Sequence, residues 1–216
     1  MDSDAIIGIL VLIGLVALTI SIVRSRKRRR QAMQAWAAAH GWSYAKSDDV
    51  ILRQWTSLPI RQGTTSHVLR RSTAQGKVFS LENSYGSPGS GTGSTTQQLI
   101  GIDLDTVVPS ARIVPAQWLQ RAFKRYTRVP IPDPDFNRDW AILTLSEAEA
   151  DQIQKLITPE FTSRLVRDGA DLVRTEIVLE RKHLVLVLPG AQQVDRIEEM
   201  TQFVGNLARA IRNADR

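Results

Sequence analysis

A few short constellations in this chain carry residue types that could do chemistry. Asp133, Asp135 and Asn137 repeat the D-x-D-x-N opening of a calcium loop, in which alternate side-chain oxygens converge on one cation. Such a loop then needs glycine at its sixth position and glutamate at its twelfth. Here those positions hold Arg138 and Thr144, and Pro134 stiffens the backbone, so the segment reads as a polar connector entering a strand. Gly89-Ser90-Gly91-Thr92-Gly93 has the composition of a phosphate loop. Gly91 is followed by Thr92 rather than Lys-Ser/Thr, and no helix opens after it, so a flexible hairpin loop is the better reading. Asp103 and Asp105 are two apart and would share one face of a strand, as a pair holding a metal–nucleotide complex does. No nucleotide fingerprint accompanies them, which favours an ordinary solvent-facing edge. His40, His67 and His183 lack metal-ligand spacing; folding could bring one near Asp or Ser, but no G-x-S-x-G elbow supports a triad. Cysteine is absent, which excludes disulfides, thiolate zinc sites and cysteine nucleophiles. No catalytic residue, metal site or cofactor is therefore expected.

The elements that would position these residues can be read from periodicity and caps. QAMQAWAAAH (31–40) is rich in helix formers, with Gly41 as its stop; Trp36 and Trp42 suit either a membrane interface or packing on the domain. A short strand over 42–47 leads to a helix over 48–55, capped by Ser47. Strands follow over 66–72 and 77–85, joined by a turn at Gly76. Two more, over 98–105 and 111–114, flank a turn at Pro109. Residues 116–125 suggest a short helix, and a Pro-rich connector from Val129 ends in a strand through Leu143. Ser146 and Glu149 form a capping box for a helix whose apolar face is Ala150, Ile153, Leu156 and Ile157. Thr158-Pro159-Glu160 starts another helix, ended by Gly169. Residues 172–180 and 183–188 look like a hairpin. The final segment, 192–214, puts Val194, Ile197, Met200, Val204, Leu207 and Ile211 on one helical stripe. Runs of strands followed by helices predict an α+β domain with a mainly antiparallel sheet packed by helices.

Ahead of this domain stands a different kind of segment. Ala5 to Val23 is nineteen uncharged residues in which only Thr19 and Ser21 are polar. As a helix it is roughly 28 Å long, enough for the hydrocarbon core of a bilayer with little tilt. A cleaved signal peptide carries its positive charge before the apolar run, whereas Asp2 and Asp4 stand there. A soluble core helix would show a polar stripe. The expected organisation is a short tail (1–4), a transmembrane helix (5–23), a basic juxtamembrane segment and helix (24–40), and a cytoplasmic domain (41–216). Arg24, Arg26, Lys27, Arg28, Arg29 and Arg30 follow the span directly, and such charges stay on the cytoplasmic side. This predicts a single-pass inner-membrane protein, N-terminus out and C-terminus in. The same six cations suit anionic lipid head groups, at about 1 kcal/mol each. They equal the chain's whole net charge of +6, so the pI near 10 belongs to this run and nucleic-acid binding is not expected. Ala17-x3-Ser21 is a small-x3-small pair that could bring two helices together, which leaves the oligomeric state open.

The pattern of Phe136-Asn137-Arg138 with Trp140, then Ala150, Leu156, Thr158-Pro159 and the strand Leu184–Leu188, resembles a group of bacterial, chiefly actinobacterial, membrane-anchored proteins of unknown function. Gly41-Trp42, Trp55 with Pro59, and Phe79 with Tyr85 are also similar; the chain departs from the group over 66–76. The resemblance implies a shared fold and supplies no catalytic residue. The expected function is an interaction or accessory domain on a membrane anchor, with other membrane proteins as partners, including envelope-assembly or transport machinery. The alternative is a membrane-associated enzyme or small-ligand binder with an unrecognised site.

Overall fold

A computed structural model describes residues 3–55, 63–86, 95–119, 126–169, 172 and 175–214, with the side chains of 3–11, 13 and 49 outside that description. The chain forms two compact units, Met1–Tyr44 and Ala45–Arg216.

The first unit is built on one helix, α1 (Ser3–Ala39). The expected tail, span and juxtamembrane helix are thus continuous from Ser3 onward. No Gly or Pro stands between Gly14 and Ala39, so nothing breaks the helix at Val23–Arg24. It ends as predicted at Gly41, whose φ of +72° suits glycine. The Trp42 N–H donates to the Ala37 carbonyl at 2.8 Å, the long-range bond of a Schellman cap. Among the described residues no helix is long and apolar enough to cross a membrane. The uncharged stretch with described side chains, Gly14–Val23, covers about 15 Å, half a hydrocarbon core. Most of the remaining positions of the expected span, Ala5 included, have side chains outside the described residues. Strand β1 (Ser43–Ala45) joins the two units.

The second unit opens with α2 (Asp49–Arg53). Asp48, not Ser47, caps it by accepting the Val50 N–H at 3.1 Å. Strands β2 (Thr64–Thr73), β3 (Gly76–Tyr85) and β4 (Thr95–Pro115) follow, then β5 (Thr127–Val129), α3 (Pro134–Asp139) and β6 (Trp140–Thr144). Helices α4 (Glu147–Leu156) and α5 (Pro159–Asp168) precede β7 (Glu176–Pro189) and α6 (Ile197–Ala214). The sheet runs β2-β3-β4-β6-β5, with β7 also paired to β4, and these pairings are antiparallel. The α+β expectation therefore holds. The β2–β3 turn is tight, with Thr73 opposite Gly76 and Gly76 at φ +126°.

The long strands correct the sequence reading. The two segments around Pro109 are one strand, β4, and the supposed hairpin over 172–188 is also one strand, β7, laid along β4. Both break register at the same place. Asp103 opposes His183, Val108 opposes Arg181, and Ala111 opposes Leu179. Pro109 has no N–H to give the ladder, and Arg181 takes φ +55° in place of a turn, so the strands bulge together and then re-pair. The predicted helix over 116–125 is a 3₁₀ turn at Ala116–Trp118, with 120–125 outside the described residues. The S-x-x-E box is also absent. Ser146 makes no side-chain cap, and its N–H is satisfied by Thr144 Oγ1 at 3.2 Å instead.

The core lies on both faces of the sheet. Ile51, Leu52, Trp55, Val68, Phe79, Leu81 and Leu99 form one cluster. The α6 stripe Ile197, Met200, Val204, Leu207 and Ile211 is buried as predicted, and α6 packs on β3, β4 and β7; Val194 falls in the preceding 3₁₀ turn. Gly101 decides how the first cluster packs. A Cβ there would lie 2.2 Å from Cζ of Phe79, so the ring occupies the space a side chain would take. Gly101→Ala is expected to cost about 1–3 kcal/mol, measured by denaturant unfolding of the full chain in micelles. Adding Phe79→Leu should recover part of that loss.

Candidate functional site

The residues singled out on α1 form a charged collar. Arg24, Arg26, Lys27, Arg28, Arg29 and Arg30 are all exposed on one uninterrupted helix. At about 100° per residue, seven consecutive positions point in every direction around the axis. Arg24–Lys27, Arg24–Arg28, Arg26–Arg29, Arg26–Arg30 and Lys27–Arg30 are like-charge neighbours at i,i+3 or i,i+4, each unfavourable by about 0.2–0.5 kcal/mol. No carboxylate stands between Ala5 and Ala39 to offset them. Burial raises the Tyr44 pKa, with Arg30 acting against it. Val23, the last residue of the apolar run, is exposed. Trp36, His40 and Trp42 gather beyond the collar: Trp36 stacks on His40 at 4.4 Å between centroids and lies 6.3 Å from Trp42.

The chemistry-bearing residues of the second unit are turned to structural work. Asp133 is the N-cap of α3, accepting the Phe136 N–H at 3.0 Å, and that bond holds its carboxyl below the usual range. Asn137 Nδ2 donates to the carbonyls of Ile131 (2.6 Å) and Asp133 (2.8 Å), while exposed Asp135 pairs with Arg138 at 3.2 Å. The three side chains do not converge, and among the described residues no group of three His, Asp or Glu is placed to hold a metal. Residues 87–94 of the Gly/Ser loop lie outside the described residues; at its base the Ser84 and Thr96 hydroxyls sit 3.2 Å apart.

Asp103 and Asp105 part company at the bulge. Asp103 Oδ1 lies 3.5 Å from His183 Nε2, and Asp105 Oδ2 lies 2.8 Å from Arg212 Nε. Arg212 also donates to the carbonyls of Gln75 (2.5 Å) and Asp103 (2.9 Å), tying the end of α6 to the β2–β3 turn. His183 sits edge-on to Trp55 and Phe79, at 5.8 and 6.4 Å between centroids. Burial pushes its pKa below 6.5, although Asp103 and Glu180 pull the other way and Arg181 adds to the lowering. His67 lies in a bulge of β2 at φ +51°, its N–H donating to the Lys46 carbonyl at 3.1 Å.

A shallow groove of about 380 Å³ opens where β4 ends, lined by Pro115, Gln117, Arg138, Asp139, Trp140, Val166 and Gly169. A Cβ on Gly169 would meet the Leu165 carbonyl at 2.3 Å and Trp140 Cζ2 at 3.3 Å, so α5 ends where only glycine fits. Asp139 and Asp135 hold the Arg138 pKa above its ordinary value.

Two polar clusters were missed in the sequence. Buried Glu82 accepts from the Gln192 N–H at 3.0 Å, and Gln192 Nε2 donates to Ser80 Oγ at 2.7 Å. Gln98 Oε1 accepts the Gln193 N–H at 3.2 Å. Arg112 forks onto both oxygens of Glu176 and reaches the Tyr126 hydroxyl at 2.9 Å. Burial acts to lower the Arg112 pKa, but Glu176 and Tyr126 hold it above the usual value. Polar residues two apart on one strand face, such as Ser80 and Glu82, were the available signal.

No protein-family model and no curated protein matches the chain. Among solved structures it is similar to the crystal structure of a mycobacterial trehalose monomycolate transport factor A. The TM-score is 0.57 at 12% identity, over 83% of this chain and 92% of that one. At that identity the likeness is one of fold.

Asp133→Ala is expected to cost about 0.5–2 kcal/mol through the lost cap, with thermal shift showing no calcium effect on either protein. For His183, the unfolded chain binds more protons than the folded one as pH falls through 6.5, so stability drops in that window. Melting curves between about pH 7.5 and 5.5 should show His183→Gln losing less stability on acidification than the unaltered protein.

Proposed function

We propose that this protein is a single-pass membrane-anchored accessory protein of the bacterial inner membrane, resembling actinobacterial proteins of that kind. Its N-terminus faces outward, and its α+β unit works in the cytoplasm as a partner of envelope-assembly or transport machinery. The observation that carries the reading is the collar: six cations on a continuous helix, placed directly after an apolar run, with no acid on that helix beyond Asp4 in its first turn. Positive charge on that side of a span keeps the following domain in the cytoplasm. The fold neighbour is a trehalose monomycolate transport factor, which supports a role beside transport proteins.

A second reading, a small-ligand binder or enzyme acting near the membrane, draws on the groove beside Trp140, whose volume lies within the range of ligand sites. Its charged lining residues, Arg138 and Asp139, lie within 3.4 Å of each other and make an ordinary surface pair.

Because the chain has no cysteine, single cysteines report topology without background. Ser3→Cys should react with a membrane-impermeant maleimide on intact cells, and Lys182→Cys only after lysis. The reverse pattern would overturn the orientation. Photocrosslinkers placed across the second unit should recover a reproducible membrane-protein partner; recovery of none would count against the accessory role.

A further inference from the structure

We infer that the α1 collar gathers anionic phospholipids into a shell around the helix, a proposal that rests on the membrane-anchor reading above. The first observation is distribution. A helix lying along a bilayer carries its cations on one stripe, opposite an apolar one. Here Arg24, Arg26, Lys27, Arg28, Arg29 and Arg30 project around the full circumference and all are exposed. That arrangement suits a helix passing through the head-group layer, with phosphates on every side.

The second is depth. Arg24 to Arg30 rises about 9 Å along the axis, enough to cross one head-group layer of roughly 5–8 Å, and long side chains extend the reach. The third is compensation. α1 carries five like-charge neighbour pairs and, after Asp4, no carboxylate, so the helix itself supplies no negative side chain to relieve that repulsion and an anionic surface would. Five of the six cations are arginine, whose planar fork matches two phosphate oxygens at once.

A phosphodiester could belong to a lipid or to a nucleic acid. The surface next to the collar decides between them. Leu15, Leu18, Ile22 and Val23, immediately N-terminal to Arg24, are exposed. A phospholipid offers acyl chain against those residues and phosphate against the next turns; a nucleic acid offers only the phosphate.

The test uses the full chain in vesicles of phosphatidylcholine with a minor fraction of phosphatidylglycerol. Lipid that co-purifies with the protein is quantified by mass spectrometry. Phosphatidylglycerol should be enriched over its bulk fraction, and the enrichment should fall about tenfold in the variant with all six cations replaced by Gln, and likewise in high salt. A bulk-like ratio, an unchanged ratio in the variant, or displacement of the lipid by single-stranded DNA would each overturn the proposal. Alkaline carbonate extraction separates the two readings. If both proteins resist extraction but neither enriches phosphatidylglycerol, the anchor stands and the lipid shell does not. If the unaltered protein is extracted, the anchor reading fails and takes the shell with it.

Discussion

The backbone ladder of β4 is the constraint on which the second unit depends. This strand is hydrogen-bonded along both edges: β7 runs beside it on one side, while β3 pairs with its first half and β6 with its second. A backbone buried on both sides has to satisfy every N–H and C=O in the ladder. Pro109 cannot comply, and the accommodation is a double bulge in which β4 and β7 deviate together. The charged and titratable residues near the middle of the sheet follow from it. Asp103 and His183 end the first ladder, Arg181 marks the break, and Asp105 swings out to Arg212. The bulge also divides the helical cover: α6 is tied to the first half through Arg212, and α4 packs against β5 and β6 beside the second.

Two polar clusters keep these long strands in register. A one-residue slip of β7 along β4 would exchange its faces and bury the wrong side chains. It would also strand Gln192 away from Glu82 and Ser80 at one end, and Glu176 away from Arg112 at the other. Each separation would leave a buried polar group without its bond, costing about 1–3 kcal/mol, more where the group is charged. The Arg112–Glu176 pair adds little net stability over an apolar pair of the same shape. Its effect is to make the wrong registers worse than the right one.

This division explains what could be read from the sequence. Helices encode themselves over a few residues: the α6 stripe, the Thr158-Pro159 start and the Gly41 stop all appear where periodicity and capping put them. Tight hairpins also announce themselves, as at Gly76. The pairing of β4 with β7 joins residues about eighty apart and leaves no local mark, so Arg181-Lys182 passed for a turn when it is a bulge. The capping box failed for a related reason. Thr144, from the preceding strand, reaches the Ser146 N–H first, and a four-residue motif does not contain Thr144. The D-x-D-x-N segment was read correctly as something other than a calcium loop, but its positive role, a cap on a one-turn-and-a-half helix, needed the backbone around Phe136.

Charge separates the two units more sharply than composition suggests. In the second unit, cations find carboxylates within the fold: Arg70 with Asp48, Arg71 with Glu198, Arg112 with Glu176, Arg164 with Glu160. These pairs are local or cross-element contacts that leave little net field. The six collar residues equal the entire net charge of the chain, and they sit on a helix with no acid among them. Attraction to an anionic surface is therefore concentrated in about two turns of α1 and falls off within a Debye length, roughly 8–10 Å. The second unit, with 22 cations against 20 acids, is only weakly drawn onto lipid by its net charge. That division of charge is compatible with the tethered accessory role proposed above.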